Sequence, residues 1–204
     1  MFALGCCLIL LSLSSIVSAL DSAHVDPQTV KSTTTGIASY NITSSSSLDA
    51  LCGFVAATNI ETVYTEWSCT VSGHPSTPPC DTLSWRGIFC YFDSVNQLDL
   101  HNSLLMGTIP SSVGSLNDLE ILVLYNNNFT GTIPLTLGSL TDVTALALDS
   151  NNFTGSIPDT IGSMSHIVRL QLQLNHFSGS IPSSLGSLQH IVTMTFDHNR
   201  LNGT

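Results

Sequence analysis

Basic residues are almost absent from this chain. Only four of its 204 residues are Lys or Arg, against 14 Asp or Glu, for a formal charge of −10. Such a surface repels phosphate, which argues against nucleic acid and anionic lipid as partners. Long apolar runs are scarce as well. Beyond Ala19 none approaches the 18 residues a membrane span needs. Cysteines are few and unevenly placed: Cys6 and Cys7 near the start, then Cys52, Cys69, Cys80 and Cys90, with none in the C-terminal half. No two have the C-x₂-C spacing of a zinc site. A Gly-rich phosphate loop, a nucleophile elbow and a His-rich metal motif are also missing. The chain therefore reads as no enzyme, with no cofactor and no metal.

What is present begins with an apolar stretch, residues 1–19, closing on Val17-Ser18-Ala19. Small residues at the cleavage-defining positions mark it as a secretory signal peptide, and Cys6 and Cys7 leave with it. Residues 20–47 are Ser/Thr-rich, with few apolar side chains to pay for ordering, and read as a flexible linker. From Leu48 to about Thr58 the apolar residues Leu48, Leu51, Phe54 and Val55 recur at helical spacing behind Ser47, a suitable N-cap. Residues 48–94 then hold Trp67, the loop His74-Pro75-Ser76-Thr77-Pro78-Pro79, and Trp85-Arg86-Gly87-Ile88-Phe89-Cys90. The four remaining cysteines all fall in this block. In an exported protein they favour disulfides, with three connectivities open.

Residues 95–204 are one frame repeated. Copies start at Val95, Leu119, Val143, Ile167 and Ile191, each 24 residues after the last, and a fixed period of this size signals a solenoid. Positions one, four and six of a copy are apolar, and alternation through positions three to seven predicts a short strand with one buried face. Position nine is Asn127, Asn151, Asn175 and Asn199, with Ser103 in the first copy. Stacked asparagines can bond the backbone of an adjacent turn and satisfy groups that the corner buries. Position eleven is Leu or Phe, and position thirteen is always Gly. Ile-Pro follows in four copies (Ile133-Pro134, for example), which makes a regular helix there unfavourable. One copy alone buries too little to fold, so stability must come from neighbouring copies and from caps.

This frame, with its Gly-x-Ile-Pro segment, resembles the plant-type leucine-rich repeat. The resemblance implies a curved stack with a parallel sheet on the concave side and short strands or 3₁₀ turns on the convex side. The block before it resembles the N-terminal cap of plant leucine-rich-repeat receptors: a helix containing Ala50-Leu51, a Trp, then Cys, Trp-x-Gly-Ile-x-Cys. Cys80 lies five residues before Trp85, where the family has its first Cys two before. The family pattern implies Cys80–Cys90, leaving Cys52 to pair with Cys69. It also implies an extracellular protein- or peptide-recognition module, the ectodomain of a receptor-like protein or kinase, with a co-receptor as a further partner. The alternative is a soluble secreted binder, such as an inhibitor of a wall-degrading enzyme. Because Thr204 is position fourteen of the fifth copy, the sequence reads as a fragment of a longer chain.

Function should lie on the open sheet face, at positions three, five, seven and eight. Ile121, Val123, Ala145 and Ala147 there form an apolar patch where solvent is expected. A polypeptide ligand is expected across Ile121, Val123, Tyr125 and Ala147, oriented by Asp149 and Arg169 with Gln171 and Gln173 beside them. Asp149 and Asp197 lie two copies apart, roughly 9–10 Å at strand spacing. An open face is expected to desolvate neither, which leaves them no catalytic role. Sequons place candidate glycans at Asn128 and Asn152, with Asn41 and Asn202 as further acceptors.

Overall fold

The computed structural model describes residues 45–67, 69, 80, 85–91 and 94–203. The signal segment, the linker up to residue 44 with Asn41, and most of the Pro-rich loop lie outside the described residues. The chain opens with α1 (Ser45–Ala57), the short α2 (Ile60–Val63), β1 (Ile88–Tyr91) and β2 (Ser94–Asp99). Helix α1 starts three residues earlier than the apolar spacing suggests. Ser47 is therefore a buried residue within the helix, not its N-cap. Its short side chain is buried inside the first turn.

Each copy then contributes one strand to a six-stranded sheet: β2, β4 (Ile121–Val123), β6 (Ala145–Ala147), β8 (Arg169–Gln171) and β10 (Thr193–Thr195), all parallel, with β1 antiparallel at the edge. The strands are shorter than the alternation implies. From β4 onward they stop at position five, because position eight is left-handed in every copy: Asn102, Asn126, Ser150, Leu174 and His198 have φ of 53–56°. That turn ends the ladder and swings the chain toward position nine.

There the asparagines do the backbone's bonding. Asn127 Oδ1 accepts from the amides of Ser103 (3.0 Å) and Leu105 (2.9 Å), and its Nδ2 donates to the carbonyls of Leu100 (2.8 Å) and Leu124 (3.0 Å). Asn151 accepts from the Phe129 amide at 3.0 Å, Asn175 from Phe153 at 3.0 Å and Asn199 from Phe177 at 2.9 Å. Each joins its own turn to the preceding one, so a buried corner keeps its partners. The first copy has no preceding repeat. Its Ser103 instead meets the Tyr64 hydroxyl of the cap at 2.6 Å.

Short side strands follow on the flank: β3 (Met106–Gly107) pairs with β5 (Asn128–Phe129), and β9 (His176–Gly179) pairs with β7 (Thr154–Gly155) and β11 (Arg200–Leu201). The convex side carries 3₁₀ turns, Ser111–Ser115, Leu135–Ser139, Asp159–Ser163 and Ser183–Ser187, each entered from an Ile-Pro proline. Phe129, Phe153 and Phe177 stack at 6.0 and 6.1 Å through the middle. Phe54 of α1 meets Phe129 at 5.9 Å and so begins the same spine. Trp67 and Trp85 pack at 4.6 Å beneath it. Disulfides Cys52–Cys69 and Cys80–Cys90 span Cα separations of 5.8 and 5.6 Å and close the cap. Loops closed this way typically gain about 2–4 kcal/mol. Among the described residues no helix is long and apolar enough to cross a membrane.

Candidate functional site on the concave sheet

Strand register arranges the concave side chains in rows, one residue per copy. Gln97, Ile121, Ala145, Arg169 and Thr193 form one row, and Asp99, Val123, Ala147, Gln171 and Thr195 a second. Position seven, just beyond the strands, adds His101, Tyr125, Asp149, Gln173 and Asp197.

The apolar patch expected here is not open. Val123 is 4% exposed, and Ala145 and Ala147 are each 5% exposed. Small side chains on a sheet lose solvent when longer neighbours stand on both sides. Ala145 lies between Ile121 and Arg169, and Ala147 between Val123 and Gln171. Of the predicted apolar contacts only Ile121 remains partly accessible. The accessible surface is instead aromatic and polar.

Tyr125 is its centre. Its ring is half-buried and stacks on the imidazole of His101, with centroids 4.8 Å apart and planes 12° from parallel. His101 Nδ1 in turn lies 2.5 Å from Asp99 Oδ1. Burial, with the negative charges of Asp99 and Asp149, pushes the Tyr125 phenol above its ordinary pKa, so it stays a neutral donor. Asp149 is half-buried as well, and desolvation raises its pKa against the opposing hydrogen bond from Ser150 Oγ at 3.2 Å. The open face therefore does perturb one carboxylate, contrary to the expectation from shape alone. Asp197 is exposed and sits 2.6 Å from His198 Nδ1. Gln173 Oε1 accepts from Thr195 Oγ1 at 2.5 Å, which ties two turns together.

The structure brings Ile121, Tyr125, Asp149, Arg169, Gln171 and Gln173 onto one face. Two contributors were not among the expected ligand contacts. His101 falls on the open face by its position, in the same row as Tyr125 and one period earlier, but its stacking on that ring is a finding of the structure. Phe89 is 52% exposed and pairs with Gln97 across the β1–β2 ladder. Directly opposed residues share a face, so Phe89 extends the concave row into the cap.

Residues 118–140, 142–164 and 166–188 match the family model described as Leucine Rich Repeat. The crystal structure of the BIR3–SERK2 complex from Arabidopsis thaliana is similar at 29% identity, over 76% of this chain and 84% of that one, with a TM-score of 0.65. The ectodomain of the receptor kinase SOBIR1 from Arabidopsis thaliana is similar at 28% identity, over 80% and 84% of the two chains, with a TM-score of 0.63. The plant peptide hormone receptor RGFR1 in complex with RGF2 is similar at 32% identity over 52% of this chain and 17% of that one, with a TM-score of 0.51. Residues 118–188 carry leucine-rich repeats behind a cysteine-paired N-terminal cap, a fold this chain shares with plant receptor ectodomains and, at 24% identity, with a plant ice-binding protein.

Proposed function

We propose that the chain is the extracellular recognition module of a receptor-like protein or kinase, and that it takes a polypeptide across the concave sheet. The observation that carries this reading is the stack of half-buried Tyr125 on exposed His101, with Asp99 and Asp149 beside it and Phe89 of the cap on the same face. Aromatic side chains of this kind supply large contact area at small entropic cost, and they dominate binding hot spots. Arg169, two copies along the sheet from Tyr125, orients a carboxylate of the ligand, and Asp149 a cationic group. The relatives support the reading by class, since one is a receptor bound to RGF2 and another is held in a complex of two proteins.

The test needs no known ligand. A displayed random-peptide library is selected against the secreted chain, and recovered peptides are titrated against variants. Tyr125→Ala should weaken binding by about 2 kcal/mol, roughly 30-fold. Ser183→Ala and Ser184→Ala, on the convex side, should leave it unchanged. Circular dichroism of Tyr125→Ala controls for folding, because the ring packs on His101. Peptides that bind Tyr125→Ala like the parent, and lose affinity to the convex variants, would sink the reading.

A further inference from the structure

Two observations meet on the flank where the chain leaves the concave sheet. Leu104 and Met106 are 77% and 51% exposed, an apolar pair on an otherwise polar edge. Beside them the β3–β5 register pairs Met106 with Asn128, about 4.8 Å away at parallel-strand spacing. Asn128 is exposed, and its side chain makes no hydrogen bond among the described residues. Its neighbour Asn127 is buried and bonded at both ends. Asn128-Phe129-Thr130 is a glycosylation acceptor, and Asn152-Phe153-Thr154 repeats it one turn later, again with an exposed Asn.

We infer that Asn128 and Asn152 carry N-linked glycans, and that the Asn128 glycan covers the Leu104–Met106 pair. In the transfer, the Asn128 amide nitrogen bonds to C1 of the first N-acetylglucosamine of a polyprenyl-pyrophosphate-linked donor. The C1–oxygen bond breaks, the polyprenyl pyrophosphate leaves intact as the anion, and the amide proton passes to a base of the host transferase. The sugar's apolar ring face and acetyl methyl group then lie where Leu104 and Met106 are bare. Both glycans stand on one flank, so a partner retains the concave sheet. The inference rests on the export reading but not on the concave one, and its test uses no ligand.

The full chain is produced in a eukaryotic secretory host and mapped by chymotryptic digestion after glycosidase release in ¹⁸O water. Label should appear at Asn128 and Asn152 and never at Asn127 or Asn151. Asn128→Gln should lose one glycan and raise the fluorescence of an apolar dye about twofold. Asn152→Gln should lose one glycan without that rise. Thr130→Ser keeps both the acceptor and a hydroxyl for the Gly107 carbonyl, 3.1 Å from the Thr130 oxygen, and should match the parent. Secreted protein with unlabelled Asn128, or equal dye binding by the two Gln variants, overturns the inference. So does a chain retained unmodified in the cytosol, which would also remove the export reading.

Discussion

The convex glycines offer a direct probe of how the repeats hold together. Gly138 is buried in the Leu135–Ser139 turn, and a Cβ there would stand 2.6 Å from both the carbonyl carbon and the Cβ of Thr160 in the next turn, and closer still to its carbonyl oxygen. Those atoms are backbone or fixed to it, so no rotamer change relieves the clash. Gly114 and Gly162 face Thr136 and Ser184 in the same way. Gly186 holds the same place in the last 3₁₀ turn, and in this chain nothing lies within 4 Å of its added Cβ. Neither Gly138 nor Gly186 has positive φ, so strain does not separate them. Gly138→Ala must push two stacked turns apart by about 1 Å, an overpacking that costs about 3 kcal/mol. Gly186→Ala only restricts the unfolded chain, which stabilises by about 0.4–1 kcal/mol. The assay is urea unfolding followed by circular dichroism, with disulfides intact and the slope checked against the parent, since repeat arrays can lose two-state behaviour. At about 2–4 °C per kcal/mol, Gly138→Ala should lower Tm by roughly 6–12 °C. Equal shifts for the two variants, or a neutral Gly138→Ala, would refute the stacking argument.

Asn151→Ala strips the buried Phe129 amide of its partner and leaves the Leu124 carbonyl with Asn127 Nδ2 alone, and should cost about 2 kcal/mol by the same urea titration. Leu174 holds a left-handed φ of 55°, where other copies place Asn, Ser or His, so Leu174→Asn should stabilise by about 1 kcal/mol in a thermal melt. Asp149→Asn tests the carboxylate. Because folding raises its pKa, the folded state binds the proton more tightly. Its ionisation therefore removes stability as pH climbs through and above the ordinary carboxylate range. The variant should melt higher than the parent at pH 7 and level with it at pH 3, where both are neutral.

The repeat could be read from sequence because each copy obeys the same local rules. The period, the glycines, the Ile-Pro segments and the ladder asparagines all concern contacts between equivalent positions one turn apart, and spacing encodes those. The cap pairing followed from family resemblance, with the spacing of Cys52, Cys69, Cys80 and Cys90 alone leaving three choices. Solvent access at the site was not legible. Ala145 and Ala147 look outward by alternation, yet their exposure depends on the size of the side chains on both neighbouring strands. Asp149 shows the same limit, since its position just beyond the strand does not report how far its surroundings desolvate it. Ser47 misled for a different reason: a residue type favoured at N-caps is here buried inside the first turn of a helix that begins three residues before Leu48.

Hydrogen–deuterium exchange of the secreted chain, with and without a library-selected peptide, tests most directly whether the concave sheet is the recognition surface. The account predicts slower exchange in segments holding Asp99–His101, Val123–Tyr125, Ala147–Asp149 and Gln171–Gln173, with the 3₁₀ turns unchanged. Protection confined to the convex turns around Leu137, Ile161 and Leu185, with the concave segments exchanging as in the free chain, would contradict it.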